Sequence, residues 1–478
     1  MNVAILGSGY VGLTTGIALA YIGHQVTCVD TDESKVAILR AGKMPFFEPH
    51  LAELCALLDG RLEYSSDPAD TIPGSDVVFI AVGTPSLPDG SPDLTYLQAV
   101  AGSISQHLGA AYTVIVNKST VPIGSGNWVE SLIAEKSGRR HRPRQHFSVA
   151  SNPEFLREGS AAHDSLYPDR IVLGSDDSRA VERLFQLYRP ILEQTFPAPS
   201  FLPRPEDLEA VPLVTTDLAS SELIKYAANS FLAMKISFIN EIGRLAEKVG
   251  GDIQKVAKGI GLDSRIGSRF LQAGIGWGGS CFGKDTAALI SSAAEYGLTM
   301  PLVSAAREVN YRQREYVVRR LLDELKILKG KVIGLLGLAF KPSTDDLRDS
   351  PAIDIARDLI ERGAWVRAHD PVAMERARQE HPDLGISFVE EVESLALDAD
   401  ALVLVTEWPV YRDLPWESIA KLMRGNLVLD GRNVLDRVRL QGAGFQYVGI
   451  GSMGLAASDD SAFALAERSS TAIGKSTL

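Results

Sequence analysis

Val3-Ala-Ile-Leu-Gly-Ser-Gly-Tyr-Val-Gly12 sets three glycines directly behind a short apolar run. A helical pattern follows from Leu13 to Ile22, Gly23 ends it, and Gln25-Val-Thr-Cys-Val-Asp30 reads as a second strand closed by a carboxylate. Strand, G-x-G-x-x-G, helix, strand and acidic residue in that order form a dinucleotide-binding fingerprint in its required context. Gly7 permits the tight turn, Gly9 lets a pyrophosphate approach the backbone, and Gly12 lets the helix pack close to the strand. The helix N-terminus favours the phosphate charge. Asp30 is placed to accept hydrogen bonds from ribose hydroxyls and would repel a 2′-phosphate, so NAD is expected over NADP. Lys35, just beyond it, is a further candidate for the adenosine end.

Working outward, three more apolar runs end in polar loops. Asp76–Val82 leads into Gly83-Thr-Pro85, Thr113–Asn117 into Lys118-Ser-Thr-Val-Pro122, and Phe147–Ala150 into Ser151-Asn-Pro-Glu-Phe-Leu-Arg-Glu158. Such C-terminal strand ends line the ligand crevice of a parallel α/β sheet, which makes Thr84, Thr120, Glu154 and Glu158 candidate site residues by position. Residues 196–216 are rich in proline and read as a loop or linker. From Asp217 a long helical pattern sets Lys225 and Asn229 four residues apart, on one face of an otherwise apolar helix, where both need partners. Gly274-Ile-Gly-Trp-Gly-Gly-Ser-Cys-Phe-Gly-Lys-Asp285 then interrupts the helices. A thiol in such a turn can act as a nucleophile if the thiolate is favoured, and a helix beginning just after Cys281 would lower its pKa.

At Lys331 the pattern restarts. Lys331–Gly337, Ala364–Asp370, Asp400–Glu407 and Gly425–Asp430 are strands, and Ser350–Arg362 is a helix. The first loop of this second unit lacks a full G-x-G-x-x-G but carries Lys341 and Arg348, cations suited to phosphate. The fold class expected is α/β, with two doubly wound Rossmann-like domains joined by a long central helix and a helical middle domain. The expected boundaries are 1–200, 201–328 and 329–452, with a flexible tail at 453–478.

Composition narrows the function. The chain has 478 residues and a net charge of −12. No basic surplus is available for nucleic acid. Cys28, Cys55 and Cys281 are too few and too dispersed for a disulfide framework or a zinc cluster, so no metal is expected. No apolar run approaches a membrane span, and the N-terminus enters a strand without a basic leader. These readings point to a cytoplasmic location.

Taken together, the motifs resemble the UDP-glucose/GDP-mannose dehydrogenase family over roughly residues 1 to 450. The matching segments are Gly7–Leu13, Pro45-Phe-Phe-Glu-Pro49, Gly83–Pro85, Lys118–Pro122, Asn152–Gly159, Pro168-Asp-Arg170, Glu222–Asn229, Gly276–Asp285, Phe340–Pro351 and Asp430-Gly-Arg432. The resemblance implies oxidation of the C6 hydroxymethyl of a nucleotide sugar to a carboxylate, using two NAD per turnover. It implies that Cys281 traps the aldehyde as a thiohemiacetal, which becomes a thioester that water cleaves. Lys225 would stabilise oxyanion charge, and Asn229 and Asp285 would position water and sugar oxygens. Glu154 and Thr120 would serve as general base and water-holding partner. NAD contacts would come from Gly7, Gly9, Val11, Gly12, Asp30, Lys35, Thr84, Thr120, Glu158, Lys284 and Arg348. Substrate contacts would come from Glu154, Phe155, Leu156, Lys225, Asn229, Phe270, Leu271, Gln272, Gly274, Gly278, Lys341 and Arg432. Arg265 resembles an arginine that reaches the substrate of a neighbouring subunit, and the family usually pairs through the long helix, so a homodimer is expected.

Glu154–Asp169 resembles the branch acting on UDP-glucose, which gives UDP-glucuronate as product. Alternatives are the same chemistry on UDP-N-acetylmannosamine, UDP-N-acetylglucosamine or GDP-mannose, or a catalytically silent nucleotide-sugar-binding homologue. A two-electron dehydrogenase of the hydroxyacid type shares the opening fingerprint but has no use for Cys281. Many bacterial members carry proline where this chain has Gly283.

Overall fold

The computed structural model describes residues 1–138 and 140–452; the tail expected at 453–478 lies outside the described residues. Two open sheets organise the chain. The first contains β1 (Asn2–Leu6), β2 (Gln25–Val29), β3 (Leu62–Ser65), β4 (Val77–Ile80), β5 (Thr113–Asn117), β6 (Phe147–Ser151), β7 (Ile171–Gly174) and β8 (Leu213–Thr216). Their order is β3-β2-β1-β4-β5-β6-β7-β8, and every pairing is parallel except β6 with β7. The second contains β9 (Val332–Leu336), β10 (Trp365–His369), β11 (Ser387–Phe388), β12 (Ala401–Leu404), β13 (Leu427–Asp430) and β14 (Gln446–Gly449), ordered β11-β10-β9-β12-β13-β14 and all parallel. Each sheet reverses direction of growth at its first strand, the doubly wound arrangement that opens a crevice at the carboxyl ends of the strands. β1, β4, β5, β6 and β12 are apolar and almost wholly buried because helices cover both faces.

The proline-rich loop ends earlier than expected. Residues 213–216 form β8, a half-exposed edge strand parallel to β7, rather than continuing the loop to 216. Pro212 immediately before it lacks an N–H and so leaves strand pairing to begin at the next residue.

Between the sheets runs one helix, Leu218–Val249, 32 residues long. Asp217 caps it by accepting from Ser220 N, and Gly250 in left-handed backbone stops it. At about 1.5 Å of rise per residue it spans about 48 Å. Glu222 on this helix accepts from Gly124 N and Gly126 N at 2.6 and 2.8 Å, where the helix Ser125–Lys136 begins. Glu247, near its far end, accepts from Gly451 N at 2.7 Å. The helix thus touches both sheet domains, and the long helix Pro301–Leu325 packs along it.

Candidate active site

The fingerprint glycines do what their spacing predicts. Gly7 has φ +105°, and a Cβ there would sit 2.6 Å from the Ala81 carbonyl oxygen. A Cβ on Gly12 would fall 1.9 Å from the Gly7 carbonyl oxygen. Gly9 is different: nothing lies within 4 Å of its would-be Cβ, so this backbone edge is open to a ligand. The helix Tyr10–Tyr21 starts there, with Val11 in its first turn. Asp30 Oδ2 accepts from Ser8 N and from Lys35 Nζ, both at 2.8 Å. Lys35 is therefore paired with the carboxylate that closes the fingerprint. Open backbone, helix N-terminus and placed carboxylate together fit a dinucleotide. Gly12→Ala is expected to cost at least about 1–3 kcal/mol of stability, because the atom it meets is backbone and cannot yield. Thermal unfolding and a dinucleotide titration would check this; unchanged values would mean that the turn is loose.

The strand ends converge as their positions predict. Thr84, after β4, donates from Oγ1 to the Thr120 carbonyl oxygen at 2.7 Å, after β5. Lys284 Nζ reaches Thr84 Oγ1 at 3.5 Å from the other side of the crevice. Glu154, after β6, accepts from Lys225 Nζ at 2.9 Å and from Leu156 N at 2.8 Å. That ion pair is buried, with side-chain exposures of 5% for Lys225 and 7% for Glu154. Burial pushes the Glu154 carboxyl up, but Lys225, the Leu156 N–H and Lys118 outweigh it and hold it below the usual carboxylate range. Burial likewise opposes the Lys225 charge, yet Glu154, Cys281 and Asp285 raise its pKa above the usual lysine value. Asn229 Nδ2 donates to Asp285 Oδ2 at 2.6 Å, and Lys284 Nζ lies 3.0 Å from Asp285 Oδ1. The two polar residues of the long helix thus find the partners their burial requires.

Cys281 is the N-cap of the helix Phe282–Glu295, so Lys284 and Asp285 lie in its first turn. The helix start agrees with expectation, but the net effect on the thiol does not. Burial pushes the Cys281 thiol up to about 11, with Lys225 pulling it down and Glu154 and Asp285 pushing it further up. Desolvation outweighs the downward pull of Lys225 and of the Ser280 hydroxyl.

The glycine-rich loop before Cys281 is held by buried amides. Gly274 N donates to Asn240 Oδ1 at 2.8 Å and its carbonyl accepts from Gln313 Nε2 at 2.8 Å. Asn310 takes Trp277 N at 2.7 Å and gives to Trp277 O at 2.9 Å. Two helices therefore satisfy a loop that has no ladder of its own. Gly274 and Gly278 press against the Gly431 and Asp349 carbonyls, leaving no room for side chains. Leu271 is buried, Phe270 stacks at a tilt against Phe282, and Gln272 is exposed.

From the second domain, Arg348 bonds Asp346 and reaches Glu158 Oε1 at 3.1 Å. Lys341 is pulled below the usual lysine value by burial, against Glu158 and Glu48. Arg432 does not point a free guanidinium into the crevice: it donates to Val405 O at 2.7 Å, Gly276 O at 3.1 Å and Phe340 O at 3.2 Å. Phe155 packs under the Arg170 guanidinium, 3.7 Å from its ring centre. Arg265 stands apart, 87% exposed in its side chain and paired with Asp263.

Two residues were passed over by sequence reasoning. Glu48 is buried and accepts from Gly159 N and Ala161 N, both at 2.7 Å, and from the Tyr10 hydroxyl at 2.5 Å. It pins the loop that carries Glu154 and Glu158. A carboxylate between Pro45-Phe-Phe and Pro49 was the available signal. Lys118 is buried behind Glu154, donates to Asn152 Oδ1 at 2.8 Å, and is pulled down to about 8 by burial. No helix among the described residues is long and apolar enough to cross a membrane.

Comparison with known proteins places this geometry. Residues 1–192, 219–312 and 334–437 match the NAD binding, central and UDP binding domains of the UDP-glucose/GDP-mannose dehydrogenase family. The chain is 43% identical to UDP-glucose 6-dehydrogenase TuaD of Bacillus subtilis, covering 94% of this chain and 93% of that one. It is 45% identical to UDP-glucose 6-dehydrogenase of Rhizobium meliloti, covering 94% and 99%. A solved UDP-glucose dehydrogenase from the archaeon Pyrobaculum islandicum superposes with a TM-score of 0.84 at 40% identity, covering 94% and 98%.

Proposed function

The chain belongs to the UDP-glucose/GDP-mannose dehydrogenase family, and from that footing we propose that it oxidises UDP-glucose to UDP-glucuronate through a covalent intermediate on Cys281. The observation that carries the mechanism is the meeting of Cys281 with the buried Lys225–Glu154 pair and the Asn229–Asp285 pair, between the fingerprint and the second sheet. Bound NAD would supply the hydride acceptor for both oxidations at C6. Gly7, Gly9, Val11, Gly12, Asp30, Lys35, Thr84, Thr120, Glu158, Lys284 and Arg348 would hold it.

The chain's own residues do the rest. Cys281 sulfur adds to the C6 aldehyde, and the Lys225 ammonium stabilises the oxyanion that forms. The ionised Glu154, with Thr120, takes the proton from the attacking water when the thioester is cleaved. Asn229 and Asp285 orient that water and the sugar oxygens. Lys341 and the 270–278 loop receive the nucleotide end, and Arg432 acts by bracing the loop at Gly276. The three free cysteines suit a reducing compartment such as the cytoplasm.

Two copies pair through the long helix. Phe231, Phe238 and Leu245 recur every seven residues along it and are 60%, 51% and 59% exposed. A stripe of that spacing is a helix-packing seam. Pairing would carry Arg265 toward the partner's substrate.

The deciding experiment is NADH released per UDP-glucose at limiting sugar. Two NADH with UDP-glucuronate as product is the expected result. One NADH would mean that the aldehyde escapes and the thiol route is wrong. None would move the assignment to UDP-N-acetylmannosamine, UDP-N-acetylglucosamine or GDP-mannose.

A further inference from the structure

Thr120 sits on the loop that joins β5 to the helix Ser125–Lys136. Among the described residues the Thr120 hydroxyl makes no hydrogen bond, so the backbone alone aims it. The near end of the loop is fixed by the sheet. Lys118 N and Ser119 N donate to the Ile80 carbonyl oxygen at 2.9 and 3.1 Å, and Ser119 Oγ donates to Val82 O at 2.7 Å. The far end has no strand beside it. There Gly124 turns in left-handed backbone, at φ +94°. Gly124 N and Gly126 N donate to Glu222 Oε2 and Oε1 at 2.6 and 2.8 Å. A Cβ on Gly126 would lie 3.0 Å from Leu218 Cδ2 and 3.3 Å from Glu222 Oε1, so the missing side chain lets the backbone close on the carboxylate. Glu222 is buried and precedes Lys225 by about one turn of the long helix. Ile123, between the two anchors, packs against the cluster of Tyr226, Ala288 and Leu289, which ties the loop to the helix that Cys281 caps.

We propose that Glu222 is a positioning residue for thioester cleavage: by gripping Gly124 and Gly126 it fixes the loop that presents Thr120 to the attacking water. In that step the water oxygen bonds to C6, its proton passes to Glu154, and the C6–sulfur bond breaks to leave the Cys281 thiolate. Nothing is oxidised or reduced. The water has to meet C6 in one geometry, and a misplacement of about 1 Å can cost about 10²-fold. The two hydride transfers depend less on this anchor, because the cofactor side of the loop is held separately, by the bond from Thr84 Oγ1 to Thr120 O at 2.7 Å. One turn of the long helix thus carries two tasks, Lys225 for the oxyanion and Glu222 for the water. A glutamine cannot replace Glu222 in full: it offers one acceptor oxygen and turns its NH2 toward a backbone N–H, donor against donor.

The proposal rests on the thioester reading above. At initial rate, with no NADH added, the first NADH leaves irreversibly, so a slower later step lowers kcat without entering kcat/KM for the sugar. At saturating NAD, Glu222→Gln should lower kcat about tenfold and Glu222→Ala about a hundredfold. The UDP-glucose KM should fall in parallel, leaving kcat/KM parent-like. Intact mass of enzyme quenched during turnover should show the sugar acyl group on Cys281 in most of the variant. A role in the fold alone gives another result, with kcat and kcat/KM falling together. That outcome overturns the proposal, as does a parent-like kcat in both variants. Thr120→Ala completes the test. If Glu222 acts through Thr120, adding Glu222→Gln to Thr120→Ala lowers kcat little further, whereas effects that multiply in full overturn the proposal. If Glu222→Ala fails to melt cooperatively, the isosteric Glu222→Gln decides by its kcat and kcat/KM. The parent is run alongside. Fewer than two NADH per UDP-glucose there removes the thioester reading and the proposal with it. Two NADH, with a variant whose kcat/KM falls as far as its kcat, removes the proposal alone.

Discussion

Cys281→Ser is expected to lower turnover by at least about three orders of magnitude while leaving NAD and UDP-glucose affinities nearly unchanged. The change swaps one atom inside a buried turn, so packing is barely altered. The chemistry is altered fully. A serine hydroxyl ionises far less readily than a thiol, and Cys281 already sits in surroundings that push even the thiol up to about 11. Lys225 cannot lower a hydroxyl far enough to make it a competent nucleophile. The first oxidation does not need the sulfur, so a rapid release of one NADH per site followed by a stall is the expected trace. Rapid mixing with product analysis would show it. Near-normal steady-state turnover in this variant would remove Cys281 from the mechanism.

Lys225→Ala is expected to damage both stability and rate. Truncating one partner of a buried ion pair leaves the other charge without compensation, at a cost of about 3–5 kcal/mol. Here the stranded group is Glu154, whose pKa is low only because Lys225 and its other partners outweigh burial. Without Lys225, burial dominates and the folded-state pKa rises above the unfolded value. Stability from protonating Glu154 is then present below the unfolded carboxyl pKa and lost as pH rises through the raised one. In the parent the depressed pKa gives the opposite trend, with stability lost as pH falls. The variant's deficit should therefore be largest near neutral pH and shrink on acidification. Adding Glu154→Gln should recover much of it. Denaturant unfolding of the parent and the two variants at two pH values checks this, and a deficit independent of pH would refute the coupling. Turnover should fall by about 10²–10³-fold, the typical cost of losing an oxyanion stabiliser.

Which features could be read from the sequence follows from how local their signals are. β1, the fingerprint and Asp30 lie within 30 residues and carry apolar, glycine and charge cues in fixed order. β3 and β8 went unread because they are four-residue edge strands whose exposed positions break any apolar run. Buried β7 was hidden by being four residues long and following Pro168-Asp-Arg. Glu48 was quoted within a motif but not given a task, since its backbone partners lie 111 and 113 residues away. The sequence offers a helix start just after Cys281 only as a condition, which the structure supplies; the direction of the thiol's pKa was not legible. Desolvation depends on what surrounds the sulfur, and that is assembled from the long helix, the β6 loop and both domains.

The helix Leu218–Val249 also works as a ruler. From one rod it sets the spacing of Glu222 at the helix Ser125–Lys136, Lys225 and Asn229 at the thiol, Asn240 at the glycine loop and Glu247 at Gly451. One residue added within it would turn everything beyond by about 100° and advance it by about 1.5 Å. The Lys225 end and the Asn240 end would then face different directions, and the loop bearing Cys281 would lose its anchor. A surface loop absorbs a change of length by bulging; this rod passes it on undiminished. A single side-chain exchange on it acts at one contact, whereas a change of its length takes the whole active site out of register.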